Sequence, residues 1–550
     1  MGSAHINVHP PTGAIIACHA LQRSPRSAPR TTPAERSQSA IERHRALSHI
    51  RFVRRKHGAS RQRGAGGIMA GSVPPLGMTT AEFRARGKAM VDFIADYYES
   101  IERYDVKSSV TPGYLAARLP AEAPVLGQPW SDIMRDVTEH ILPGMTHWQS
   151  PRFHAFFPAQ TSFPAMLGDM LSGCFNAIGL SWIASPAMTE LETVVMDWTA
   201  SMLGLPAKFL SRGTGGGVIQ GTASESALVA AFVARDVALC VHQGKSIGEC
   251  CAYLTKHRHA CFDKALRLSG IRHVRIVDDA DGLQRAIQQD LNDNLLPVFL
   301  GCTLGTTSTV AFDDLSTLVP VANKFGVYVH VDAAYAGAAF VCPEFRSVLD
   351  GVQGVDSFCF NAHKWLMTNF DCSIMFVGDR MALQRVMCSS MEILRSKSDT
   401  VPGVATLRDW QIGLGRRFRA LKLWFVIRTF GVAGLQQHIR HQCQLAETFE
   451  ELVLQDNRFE LYCPRALGLV CFRARSPVDI SSANNATIRI FEHIDRSGDI
   501  FLVQSSIDGE TFIRFCICSP LTTADHVESA WRSIQRAADA VLASNRAPNS

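Results

Sequence analysis

Hydrophobic and polar positions along the chain follow two alternating periods. Phe83, Met90, Phe93, Ile94, Tyr97 and Ile101 recur at helical intervals, and Thr79 followed by Glu82 has the spacing of a capping box. The proline-punctuated span 112–143 predicts short helices and turns. Residues 146–160 concentrate aromatics with neither helical nor strand period, which suits either a core plug or one wall of a pocket for a flat ligand. Residues 164–205 read as largely apolar helix. Short apolar, β-rich runs follow at 274–277, 297–303, 327–331, 358–360 and 374–377, with helical patterns at 282–291 and 315–324 between them. That alternation predicts an α/β fold with a mostly parallel central sheet covered by helices on both faces. The polar span 378–409 reads as a long loop, and a long helix starts at about Leu414. Residues 432–545 predict helix, strands at 468–472 and 512–518, and a last helix with Val527, Trp531, Ile534, Ala538 and Val541 on one face. This is a smaller α/β domain.

Length and composition refine this picture. A chain of 550 residues has room for two or three domains, and no apolar run is long enough to span a bilayer. The net charge of +5 misleads, because residues 1–64 hold eleven Arg and one Lys against Glu35 and Glu42. Their +10 leaves −5 for the remainder. A nucleic-acid partner is therefore not expected for the globular part. The Arg-rich tail suits disorder, translated upstream sequence or an organelle transit peptide, the last implying a mitochondrion or plastid. Sixteen scattered cysteines show no paired ligand spacing, and His257, His259 and Cys261 have no evident fourth partner. Reduced buried thiols, no metal and a cytoplasmic location are expected.

Three polar features sit where strands should end. Lys364, between His363 and Trp365, follows the run 357–360. Apolar surroundings lower an ammonium pKa and free a nucleophilic amine, although a lysine at a strand end is also an ordinary surface residue. Asp332 closes another strand and needs a cation or strong donor if buried, unless it merely caps the next helix. Thr306, Thr307 and Ser308 follow a third strand. Between Arg212 and Glu225 a glycine-rich turn leads into a helix with Thr222 and Ser224 at its start, offering free N–H groups to an anion; by itself it is a weak phosphate signal. In open α/β sheets ligands lie at strand carboxyl ends. A reactive lysine, a strand-end acid, a phosphate cradle and a flat side chain such as His259 together match what pyridoxal 5′-phosphate uses.

The segments Asn361-Ala-His363-Lys364-Trp365, His330-Val-Asp332-Ala-Ala-Tyr335-Ala-Gly, Ser181 to Glu192 and Trp410 to Arg419 resemble the signatures of group II pyridoxal-phosphate decarboxylases, aromatic L-amino-acid branch. The likeness runs from about residue 79 to 542. It implies a fold-type-I, PLP-dependent transferase-like homodimer with shared active sites: a tail over 1–77, an N-terminal helical dimerisation segment over 78–160, a large cofactor domain over 161–430 and a small C-terminal domain over 431–545. By the same likeness Lys364 binds the cofactor aldehyde, Asp332 pairs with the ring nitrogen, and Ala223, Ser224, Thr307 and Asn361 hold phosphate and ring substituents. His259 stacks on the ring and helps orient the substrate, and His363 touches the cofactor as well as the substrate. His363, Trp148, Phe156, Phe157, Ala159, Leu180 and Gly415 line the substrate pocket.

One departure changes the expected outcome. Family decarboxylases carry a loop tyrosine that protonates the α-carbon after CO2 leaves, and the position reached by counting from Lys364 to Trp410 is Ile393. Isoleucine has no proton to give. The resemblance then implies decarboxylation of Trp, Tyr, Phe or DOPA to the amine, or alternatively an O2-dependent aldehyde synthase. A silent family member is the third reading, which intact Lys364, Asp332 and His259 oppose. Gly415 and Ala159 favour tryptophan as substrate.

Overall fold

The computed structural model describes residues 77–388, 405–476 and 478–544. The chain divides into two compact units, residues 1–84 and 85–550. In the described part of the first, Glu82 Oε2 accepts both the N–H and the hydroxyl of Thr79 at 2.8 Å, and Thr79 Oγ1 accepts the Glu82 N–H at 3.2 Å. This is the predicted capping box, and it starts helix α1 (Thr80–Glu99).

The second unit is built on a seven-stranded sheet. Its strands are β1 (Gly216–Gln220), β2 (Cys250–Thr255), β3 (His273–Val277), β4 (Leu296–Thr303), β5 (Tyr328–Asp332), β6 (Ser357–Asn361) and β7 (Ser373–Val377). Their order is β1-β7-β6-β5-β4-β2-β3; the pairs from β3 to β6 are parallel, and β7 runs antiparallel to both β6 and β1. Every residue of β2, β4, β6 and β7 is buried, so these strands read as unbroken apolar runs and not as alternating ones. Helices α2 (Phe163–Phe175), α3 (Pro186–Leu203), α4 (Ala223–Val241), α5 (Cys261–Ser269), α6 (Ala280–Asn292) and α7 (Leu315–Lys324) supply the covering layers. A second sheet, ordered β10-β11-β9-β8, joins β8 (Phe459–Leu461), β9 (Leu469–Ala474), β10 (Val503–Ile507) and β11 (Glu510–Cys516), all antiparallel. Helices α8 (Arg419–Gln455), α9 (Ile480–Ser497) and α10 (Ala524–Ser544) pack around it, α8 being broken at Gly431, whose φ is +63°. Phe449, Phe472, Phe515 and Trp531 form its core.

Several local expectations change. The glycine-rich stretch before α4 is not all turn, since 216–220 forms β1. Its glycines are required by close packing: a Cβ on Gly217 would meet Phe376 at 2.7 Å and Met196 at 2.8 Å. The helical span 164–205 is interrupted at Asn176, which takes the left-handed conformation with φ 45°. The long loop expected over 378–409 contains a helix, Arg380–Met387, because Asp379 Oδ1 caps it by accepting the Met381 and Ala382 N–H groups. Strands β2, β8 and β10 were not foreseen, and α8 starts later, at Arg419. Among the described residues no helix is long and apolar enough to cross a membrane, and no three His, Cys, Asp or Glu side chains cluster as metal ligands.

Candidate active site

Strand ends converge on Lys364. β6 delivers Asn361 and leads into the short helix Ala362–Trp365 that carries the lysine. Beside β6 in parallel register, β5 ends on Asp332, and next to it β4 ends on Thr303. Asp332 is only 4 % exposed. Its Oδ1 accepts the Ala334 N–H at 2.9 Å, and two thiols approach it: Cys359 Sγ at 3.8 Å from Oδ1 and Cys261 Sγ at 3.9 Å from Oδ2. Burial lowers the pKa of Lys364 below the ordinary lysine value, and the Asp332 charge opposes that shift. Desolvation wins, so a larger share of this amine is neutral than in water.

Below the lysine lies a stack of rings. Lys364 Nζ sits 5.5 Å from the Phe157 ring centroid; Phe157 stacks on Tyr335 at 3.8 Å, and Tyr335 on Trp365 at 4.7 Å. Arg514 of β11 lies over the same Phe157 ring at 4.9 Å and donates through Nε to the Ser308 carbonyl at 3.1 Å. The second sheet thereby anchors the 306–309 turn that presents exposed Thr307.

His363 is buried, and its Nδ1 accepts the Cys372 N–H at 2.9 Å. Burial, with Lys364 adding to it, pushes its pKa down to about 4, so the ring is neutral near pH 7. A backbone donor on Nδ1 leaves the ring proton on Nε2. The His363 carbonyl accepts the Gln160 N–H at 2.7 Å, tying the aromatic span 146–160 to the lysine helix.

The sheet's edge supplies the anion donors. α4 begins at Ala223, capped by Thr222, whose hydroxyl accepts the Glu225 N–H at 3.2 Å. Ser224 is exposed there, and its hydroxyl bonds the Cys261 thiol, which brings the helix start beside the turn carrying His259. His259 is exposed, with Nδ1 accepting the Cys261 N–H at 3.1 Å.

The structure sorts the expected residues into two groups. Lys364, Asp332, Asn361, His363 and Phe157 belong to the buried centre; Ala223, Ser224, His259 and Thr307 stand on the strand-end turns around it. Phe156 follows on the aromatic wall, stacked at 5.8 Å on Trp148, and the Ala159 carbonyl accepts from Gln149 Nε2 at 2.7 Å. Leu180 and Gly415 make a second group, on loops joined by the Gly179 N–H to the Arg416 carbonyl at 3.3 Å, along a rim with exposed Ile178, Ile183 and Leu414. Ile393 lies outside the described residues. Residues not singled out from sequence are Gln160, Arg514, Cys261 as a partner of Asp332, and the His330–Cys359 contact. Only strand register reveals the last.

Pyridoxal 5′-phosphate fits this centre. Among the described residues the Asn361 Oδ1, the Thr303 hydroxyl and both Gln160 amide atoms are buried without hydrogen-bond partners, which is costly unless a ligand completes them. An amine lies near a buried carboxylate, and the N-terminus of a nineteen-residue helix that carries the exposed Ser224 hydroxyl lies nearby.

Comparison with known proteins agrees. A family model described as the pyridoxal-dependent decarboxylase conserved domain matches residues 112–475. A tryptophan decarboxylase of Camptotheca acuminata is 45 % identical over 489 residues, covering 86 % of this chain and 98 % of the relative. A phenylacetaldehyde synthase of Petunia hybrida is 43 % identical over 480 residues, covering 84 % and 95 %. The crystal structure of Catharanthus roseus tryptophan decarboxylase in complex with L-tryptophan superposes with a TM-score of 0.81 at 42 % identity, covering 84 % of this chain and 99 % of that one.

Proposed function

The chain belongs to the family of pyridoxal-dependent decarboxylases, and we propose that it decarboxylates an aromatic L-amino acid at the Lys364 centre. When bound, pyridoxal 5′-phosphate supplies an electrophilic aldehyde and an electron-withdrawing ring. The observation that carries the proposal is the Lys364 amine, made less basic by burial and faced by the buried Asp332 carboxylate.

Lys364 offers a neutral nucleophile. Asp332 holds a proton on the ring nitrogen. Ser224 and the free N–H groups at the start of α4, with Thr307 and Asn361, bind phosphate and ring substituents. His259 supplies a flat face, and His363 donates from Nε2 towards the substrate. Phe157, Phe156 and Trp148 exclude water and bind a flat side chain through apolar area and ring contacts. A homodimer completes the site. Its support is an apolar stripe on α2, where Phe163, Leu167 and Met170 at helical spacing are each more than half exposed. It continues into Ile178 and Ile183, on the rim that holds Leu180 and Gly415, so these two residues would serve the partner's pocket. Tryptophan is the favoured substrate, since among the described residues a Cβ on Gly415 would touch only Ile178, at 3.6 Å, and the glycine leaves that space open.

A second reading rests on Ile393. With no proton donor at that position, the electron pair left by CO2 on the α-carbon can pass to O2, which is reduced to hydrogen peroxide, and water hydrolyses the resulting C=N bond to an arylacetaldehyde and ammonia; the likeness to the Petunia phenylacetaldehyde synthase supports it. Incubating the loaded enzyme in air with Trp, Tyr, Phe, DOPA and glutamate, and quantifying CO2, amine, aldehyde and peroxide, tests both readings. CO2 from aromatic substrates alone supports decarboxylation, and CO2 from none sinks it. Amine without peroxide sinks the aldehyde route. Ile393→Tyr should shift products towards amine.

A further inference from the structure

β5 and β6 pair with His330 opposite Ser357 and Asp332 opposite Cys359. Residues i and i+2 of a strand share a face. These four side chains therefore form a two-rung polar ladder, with Val331 and Phe358 between the rungs pointing to the other face. His330, Ser357 and Cys359 are fully buried. Ser357 Oγ lies 2.7 Å from His330 Nδ1, His330 Nε2 lies 3.7 Å from Cys359 Sγ, and Cys359 Sγ lies 3.8 Å from Asp332 Oδ1. From the start of α5, Cys261 Sγ reaches the other carboxylate oxygen at 3.9 Å.

The proton placement follows from burial. Desolvation lowers the His330 pKa to about 3, so the imidazole is neutral and has one N–H. Burial, with the Asp332 charge adding to it, pushes both thiols up, so each keeps its proton. A neutral thiol beside a carboxylate can only donate to it. Cys359 then gives its S–H to Asp332 and accepts at sulfur from His330 Nε2–H, and Ser357 donates to Nδ1. Every donor in the chain points towards the carboxylate, an order in which each bond polarises the next. Thr303, paired with Asp332 from the neighbouring strand β4, has a buried hydroxyl without a hydrogen-bond partner among the described residues.

We propose that Cys359 is a positioning residue: held between His330 and Asp332 and matched by Cys261 on the second oxygen, it fixes the Asp332 carboxylate as an oriented anion for the ring nitrogen of pyridoxal 5′-phosphate. The inference rests on the reading of the Lys364 centre as the cofactor site. Thiols suit the task because they are weak, polarisable donors that orient the anion without competing for its charge.

The test uses the full chain loaded with pyridoxal 5′-phosphate, in wild type and in Cys359→Ala, Cys359→Ser, Cys261→Ala and the double alanine variant. Cofactor affinity is read by quenching of tryptophan fluorescence, the pH midpoint of the bound cofactor's visible absorption by titration, and folding by circular dichroism. Cys359→Ala is expected to weaken cofactor binding about fivefold and to shift the midpoint by roughly half a pH unit, and the double variant to weaken binding about twentyfold. Cys359→Ser, which keeps a donor, should stay within about twofold of wild type. Folded alanine variants with wild-type affinity and midpoint would overturn the proposal while leaving the cofactor site intact. Serine behaving like alanine would overturn it too, since the role would then be packing. If Cys359→Ala does not fold, an unchanged midpoint in Cys261→Ala overturns it. A wild type that holds no cofactor removes the site reading and this proposal with it.

Discussion

The Nδ1 atom of His363 accepts the backbone N–H of Cys372 at 2.9 Å, which fixes both the tautomer and the orientation of the imidazole next to Lys364. With its pKa near 4, this ring stays neutral at physiological pH. His363→Phe should lower kcat/KM for an aromatic substrate about a hundredfold, the lower end of what a placed proton donor contributes. Cofactor affinity should change by less than about threefold. Wild-type kcat/KM should show no inflection from this group between about pH 5.5 and 8. An inflection that disappears in His363→Phe would contradict the assignment.

Acid lability follows from the same desolvation. His154 and His330 are pushed down to about 3, and His363 and His438 to about 4. A histidine with a lowered folded pKa takes up its proton first in the unfolded chain. The stability it permits is complete above the unfolded value near 6.5 and falls as pH drops towards the folded one. Each such group costs up to about 1.4 kcal/mol per pH unit across that window. Calorimetric Tm should therefore fall steeply from pH 6.5 to 4.5, and a flat profile would refute the buried neutral state.

Arg416 and Glu192 form an ion pair in which both side chains are fully buried. Glu192 Oε1 also accepts the Ile219 N–H at 2.8 Å, so the pair pins α3 to β1. Arg416→Met leaves a buried carboxylate alone and should destabilise by about 3–5 kcal/mol. Adding Glu192→Gln should recover part of that loss. Denaturant unfolding of the single and double variants measures it, and an additive double variant would contradict the coupling.

Gly415 has open space where a side chain would stand: among the described residues an added Cβ would meet Ile178 alone, at 3.6 Å. Gly415→Ser should leave Tm unchanged and reduce kcat/KM for tryptophan relative to tyrosine on the order of tenfold. Equal effects on both substrates would remove Gly415 from the specificity pocket.

How much of this was legible in the sequence depends on what each feature requires. Lys364 and Asp332 stood out because a charged residue closing an apolar run must be paid for by a partner, and one-dimensional pattern shows such a residue directly. Strands β4, β5 and β6 were legible because near-complete burial makes them continuous apolar runs, although β2, equally buried, was not foreseen. β1 was hidden because Gly216 and Gly217 erase strand pattern while allowing the close approach of Trp410 to the first and of Phe376 and Met196 to the second. The helix Arg380–Met387 was hidden because its eight residues sit in polar sequence and depend on one cap, Asp379. Cys359 was visible only as one of the thiols expected to be buried, and His330 only as part of a family motif. Their join to Asp332 is a matter of register between two strands, which no stretch of single chain contains.

The central claim is that Lys364 is the amine that takes the cofactor, and chemical trapping tests it directly. Pyridoxal 5′-phosphate–loaded enzyme is reduced with borohydride, digested and mapped by mass spectrometry. A phosphopyridoxyl group is expected on the peptide containing Lys364, with none on that peptide in Asp332-intact Lys364→Ala enzyme. A label on a different lysine, or wild-type enzyme that carries no label, would contradict it.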